Sequence, residues 1–158
     1  MELALFIDWV EKHGWKSQPP KGALLAEHPI LSKYALPAEL LEFWGSFSRL
    51  ESADECTWFL FPDDYKEVTD PNEFAWNEFE RISLEAALDD DGAAAVREWW
   101  SRHLPILMSV KGGYSFYAID ISTEKIVRGF EPEFEEVSTA AESFADFLDK
   151  IIKGEIVL

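Results

Sequence analysis

The stretch from Pro105 to Phe130 constrains the fold of this chain more than any other part of its sequence. Ile106-Leu107-Met108-Ser109-Val110 is an apolar, strand-forming run, and Lys111-Gly112-Gly113 breaks it with a glycine pair. Tyr114 to Asp120 is a second such run, so the two read as a β-hairpin around the glycines. Ser122 to Lys125 forms the next turn, and Ile126-Val127-Arg128-Gly129-Phe130 follows as a third strand. The spacing predicts an antiparallel meander of three strands. Phe134 to Val137 reads as a further, shorter strand.

Helical periodicity surrounds that meander. Leu3, Phe6, Ile7 and Val10 recur at helical spacing and predict a helix over 1–13, ended by Gly14. The two prolines of Gln18-Pro19-Pro20-Lys21-Gly22 make a loop, and residues 23–27 read as one short helical turn. Pro37 opens a helix to Ser48, with Leu40, Leu41, Trp44 and Phe47 as its apolar stripe. Cys56 to Phe61 reads as a strand closed by Pro62. Asp70-Pro71-Asn72-Glu73 has the form of a capping box, predicting a helix through Phe74, Trp76 and Phe79. Residues 82–88 either continue that helix or form another. Asp91 is placed to cap a helix over 92–103, where Trp99 and Trp100, about 100° apart around the axis, put one ring partly in solvent. Thr139-Ala140-Ala141-Glu142 forms another capping box, before a helix whose Phe144, Phe147, Leu148, Ile151 and Ile152 share a face. The order is helices, strand, helices, meander, helix, which is α+β in a single domain over 1–158. A sheet that is mixed or mostly antiparallel, with helices at both ends, is expected.

Charge narrows the partners. Thirty-one acids against fourteen bases give a net charge of −17, which repels phosphate backbones and anionic membrane surfaces. Nucleic acid and membrane are therefore not expected as partners. Residues 51–91 alone hold fourteen acids and two bases, a net of −12. Asp54, Glu55, Asp63, Asp64 and Glu67 flank the strand at 56–61 closely enough to sit on neighbouring loops, as a rim of unpaired acids. They are the candidate partner-binding surface, and a basic protein is the partner such a rim would meet. No apolar run reaches the roughly 18–20 residues of a membrane span, and acids stand at the start where a secretory signal needs positive charge. A soluble, cytoplasmic domain is the expectation.

Catalytic chemistry finds little support. Gly113-Tyr114-Ser115-Phe116-Tyr117 lacks the last glycine of a nucleophile elbow and lies inside the hairpin. His13, His28 and His103 are far apart, with no partner at metal-ligand spacing. His13 and His103 fall at predicted helix C-termini, where the dipole favours an imidazolium. The single cysteine, Cys56, reads as a buried thiol in an apolar strand and excludes an internal disulfide. Aligned on a calcium loop, Asp89, Asp91, Gly92 and Glu98 fit, but Ala87 stands where the first carboxylate belongs. No catalytic, cofactor-binding or metal residue is assigned, and neither an enzyme nor a cofactor is expected.

Leu104-Pro105-Ile106-Leu107, Gly112 to Asp120, Ile126-Val127 and Ala141-Glu142-Ser143-Phe144-Ala145-Asp146-Phe147-Leu148 together resemble the SUKH superfamily, the group of the fungal Smi/Knr cell-wall-synthesis regulators and their bacterial relatives. Leu36-Pro37-Ala38-Glu39-Leu40-Leu41-Glu42-Phe43 resembles the start of that family's first core helix, so the likeness spans about residues 30–153. Ser48-Arg49-Leu50-Glu51 stands where the family usually shows a polar-glycine pair, so the turn is built differently here. The resemblance implies an α+β fold and function by protein binding. Bacterial members act as immunity proteins that neutralise toxins, often nucleases or deaminases; the fungal members imply a regulatory or scaffold role with a non-toxin partner. It carries over no catalytic residue.

Overall fold

The hairpin around Gly112 and Gly113 is the centre of the molecule in the computed structural model, which describes residues 3–22 and 25–158. Both glycines have positive φ, at 70° and 119°, which lets β4 (His103–Ser109) return directly as β5 (Ser115–Asp120). β6 (Ile126–Phe130) completes the expected meander. Four shorter strands extend it: β1 (Lys16–Gln18), β2 (Arg49–Glu51) and β3 (Thr57–Phe59) on one side, β7 (Ser138–Ala141) on the other. The seven strands lie in chain order and every neighbouring pair is antiparallel. The fold is α+β, and no strand pairing in the sheet is parallel.

Register sorts the side chains into two faces. Phe59, Leu107, Tyr117 and Arg128 stand opposite one another on one face; Trp58, Met108, Phe116 and Gly129 alternate with them on the other. Helices α1 (Leu3–Lys12), α2 (Ala38–Trp44) and α5 (Phe144–Ile152) cover the first face. Phe6 and Phe43 pack on Phe59, with ring centroids 5.9 and 5.1 Å away, and Phe147 packs on Tyr117 at 4.9 Å. Helices α3 (Glu78–Ala86) and α4 (Asp90–Ser101) cover the second face, where Phe79 and Trp100 lie 5.5 and 5.1 Å from Phe116. This is a three-layer arrangement. Its middle strands are buried on both sides, which accounts for the nearly continuous apolar run of β4.

Several local expectations are corrected. Helix α1 ends before Gly14, whose φ is +68°, as expected; residues 1, 2, 23 and 24 lie outside the described part, so the short turn is seen only as the 3-10 segment Leu25–Glu27. Gln18 belongs to β1, so the loop starts at Pro19. Helix α2 stops at Trp44, not Ser48. Its Leu41 is 40% exposed, and Phe43, fully buried, takes the core position instead. No helix starts at Asp70. Its carboxylate accepts the Asn72 N–H at 2.9 Å in a local turn, and the chain stays irregular so that Phe74 can meet Trp58 while Trp76 meets Tyr65. The helix begins at Glu78 and runs to Ala86.

Asp89, not Asp91, caps α4, its Oδ1 accepting from Gly92 N at 2.7 Å. Trp100 is buried and Trp99 partly exposed, as the adjacent pair required. The strand expected over 134–137 is a turn, with Phe134 stacked on Phe79 at 4.6 Å. The capping box read at Thr139 is the edge strand β7 instead, because Thr139 and Ala141 pair with Val127 and Ile126. The cap sits four residues on, where Ser143 Oγ accepts the Asp146 N–H at 3.0 Å. Phe144, Phe147, Leu148 and Ile151 of α5 are all buried, and Gly154 follows at φ +76°.

Candidate functional site

The five acids singled out by sequence fall into separate groups. Asp54 and Glu55 lie in the turn before β3, and Asp63 and Asp64 follow its far end, so about six extended residues, roughly 20 Å, separate them. Asp54 accepts from Ser52 Oγ at 2.6 Å and Cys56 N at 3.1 Å, which holds its carboxyl below the usual range. Its second oxygen faces Lys111 Nζ at 3.5 Å, and Glu55 pairs with Lys16 at 2.7 Å. Asp63 faces Lys21 at 3.4 Å. Asp64 caps the 3-10 turn Pro62–Asp64, accepting the Phe61 N–H at 2.8 Å, and burial of that carboxyl pushes its pKa up. Glu67 is exposed. The expectation of one rim of unpaired acids is therefore corrected: short turns impose local partners on these residues, and three of them have a lysine nearby.

Asp64 and Glu67 lack a base, and so do the acids of two segments elsewhere. Among the described residues, none of the acids in 80–91 or 131–136 has a basic nitrogen within ion-pair distance. Residues 131–136 lie against α3. Phe134 stacks on Phe79 of α3, and Ser83 of α3 donates to Glu135 at 2.9 Å. Desolvation raises the pKa of Glu80, with the Glu135 charge adding to it and Arg97 opposing. Glu135 is raised for the same first reason, and Glu136 because it shares a hydrogen bond with Glu133. Negative charge here is crowded onto itself. Sequence reasoning missed this part, reading 134–137 as a short strand. Its signal was visible: Glu131, Glu133, Glu135 and Glu136 within six positions.

The other candidates have structural roles. His28 accepts the Ile30 and Leu31 N–H groups at Nδ1, at 3.1 and 3.0 Å, and so donates from Nε2 to Pro62 O at 2.8 Å, tying two loops together. His13 stacks on Trp9 and bonds its carbonyl at 2.8 Å. His103 is the first residue of β4; it bonds Trp99 O at 2.7 Å and lies under the Trp99 ring. The imidazolium expected there is disfavoured, because burial lowers its pKa more than the Trp99 carbonyl and Asp120 raise it. Cys56 stands half-buried in the turn ahead of β3, its thiol 3.5 Å from Asp54 O, and not inside an apolar strand. Among the described residues, no three His, Cys, Asp or Glu side chains are grouped to hold a metal ion.

No family model, curated protein or solved structure matches the chain. What its own coordinates define is a three-layer α+β domain with an acid-crowded side formed by α3 and the 131–136 loop. No helix among the described residues is long and apolar enough to cross a membrane.

Proposed function

We propose that this chain is a non-enzymatic protein-binding domain of the SUKH type, an acidic immunity protein that binds and neutralises a basic, nuclease-type toxin. The observation that carries the reading is the gathering of acids without an ion-pair partner on α3 and residues 131–136, where burial disfavours the charge of both Glu80 and Glu135 and the Glu135 charge adds to the effect on Glu80. Such crowding works against the free domain and is relieved when cations arrive. A nuclease carries a basic surface for its phosphate substrate, and an acidic inhibitor can cover it. The order of a Leu-Pro-led helix, a meander and a terminal amphipathic helix supports the family reading without depending on charge.

The test is to purify a tagged copy from its native cell, identify what accompanies it, and assay that protein's toxicity with and without the purified chain. The reading expects a basic toxin domain whose activity falls to nothing at equimolar chain. A partner with no toxic activity would move the chain to the regulatory, Smi/Knr-like role. Binding only to an acidic protein would contradict the electrostatic argument altogether.

A further inference from the structure

In an otherwise acidic molecule, one hollow collects donors. It has a volume of about 230 Å³ and lies on the α5-covered face of the sheet, toward the hairpin end of β4 and β5. There Thr57, Ser109 and Ser115 face one another across three adjacent strands, and their small side chains leave the space open. Lys111 and Arg128 also line it, and no Asp or Glu side chain does.

Arg128 is one of two arginines that hold no carboxylate. Arg49, Arg81 and Arg102 each hold one at 3.1 Å or less, and Arg97, exposed on α4, is the other without one among the described residues. Among the described residues, the Arg128 side chain makes no ion pair and no hydrogen bond, although the chain has thirty-one acids. Its guanidinium rests 5.6 Å from the Tyr117 ring centroid and 6.0 Å from that of Phe130. Those rings hold the group while leaving its N–H edge free. The Lys111 ammonium has only a long, exposed contact with Asp54, at 3.5 Å. The Thr57 and Ser109 hydroxyls bond each other at 2.9 Å, whereas the Ser115 hydroxyl has no partner among the described residues.

We propose that this hollow binds a small oxyanion, the carboxylate or phosphate group of a small molecule. Arg128 grips it with two parallel N–H donors, and Lys111 and Ser115 supply further donors. Leu107 and Leu158 form an aliphatic wall that accommodates a short carbon stub. The site is independent of the protein-binding reading and lies on different elements from the acid-crowded side.

The probes are propionate and inorganic phosphate, each titrated into the full chain at constant ionic strength, with chloride as the reference salt. Binding is followed by NMR at the Arg128 side-chain N–H and the Ser115 amide. The proposal expects saturable shifts at both positions, and the stronger of the two probes tells a carboxylate from a phosphate ligand. Arg128→Lys keeps the charge but loses the fork, and should weaken binding about tenfold, the worth of one charge-assisted bond. Arg128→Gln should abolish it, while Arg97→Gln, an exposed arginine on α4, should leave it unchanged. Shifts that stay linear with both probes, or that persist in Arg128→Gln, would overturn the proposal. Retention of the wild-type amide spectrum in the variants separates loss of binding from loss of fold.

Discussion

Gly129→Ala is the most demanding test of the central sheet. Gly129 sits on β6 directly opposite Phe116 of β5. A Cβ placed there would stand 2.6 Å from Phe116 Cε1 and Cζ and 2.7 Å from the Phe134 carbonyl oxygen, where ordinary contact is 3.4–4 Å. The neighbours must therefore yield by about 1 Å. Phe116 has little freedom to do so, being fully buried with Phe79 and Trp100 packed at 5.5 and 5.1 Å. Overpacking of this kind costs about 1–3 kcal/mol, and alanine's smaller backbone entropy in the unfolded chain offsets about 0.5–1 kcal/mol of it. A net loss of about 1 kcal/mol follows. Urea unfolding followed by tryptophan fluorescence measures it, with an unchanged m-value indicating that the denatured state is unaltered. A cycle with Phe116→Leu isolates the cause. Leucine lacks the two ring atoms in the clash, so the double variant should lose about 1 kcal/mol less than the sum of the singles. A loss below about 0.5 kcal/mol for Gly129→Ala, or strict additivity in the cycle, would refute the packing argument.

Three further outcomes are expected. Phe147→Ala, at a fully buried ring of α5, should cost about 3–5 kcal/mol, and a surface-like change below about 0.5 kcal/mol would show that face to be exposed. Ser143→Ala should cost about 1 kcal/mol as the loss of a helix cap, whereas Thr139→Ala, in an exposed edge-strand position, should cost clearly less; equal losses in urea unfolding would reinstate a cap at Thr139. His103 has a depressed pKa in the fold, so between that value and its unfolded value near 6.5 the unfolded chain binds the extra proton. Its contribution to stability is present above about pH 6.5 and declines as the pH falls through that window, and an NMR titration of its imidazole at or above 6.5 would contradict the burial argument. Asp120, Glu98 and Arg102 also act on this ring, so the comparison is best made against a His103→Gln variant.

The parts legible in sequence are those whose local pattern has one solution. The glycine pair at 112–113 and the period-two runs on either side admit a hairpin and little else, and the face from Phe144 to Ile151 is one stripe at helical spacing. The parts that misled are those where tertiary pairing overrides a local signal. Residues 139–142 have the composition of a cap, yet Thr139 and Ala141 pair with Val127 and Ile126 at the edge of the sheet instead. Asp70 to Glu73 likewise carry a capping pattern, but Phe74 and Trp76 must reach different aromatic neighbours. β1 carries no pattern at all, since all three of its residues are exposed. Among the site residues, net charge was readable and its pairing was not. Lys16, Lys21 and Lys111 are remote in sequence from Glu55, Asp63 and Asp54, and only the fold brings them together.

The claim that negative charge on α3 and 131–136 recruits the partner is tested most directly by association kinetics. The measurement is the rate constant for binding the co-purified partner, taken across ionic strength, for the wild type and for Glu80→Lys/Glu135→Lys. Steering by opposite charge is screened over a Debye length of about 8 Å at physiological salt, so the wild-type rate should fall steeply as salt rises. The double reversal should slow association and flatten that slope, while Asp63→Lys/Asp64→Lys, at the far end of β3, should have a smaller effect. A rate and salt slope unchanged by reversing Glu80 and Glu135 would contradict the account, leaving that side of the molecule as a solvated face.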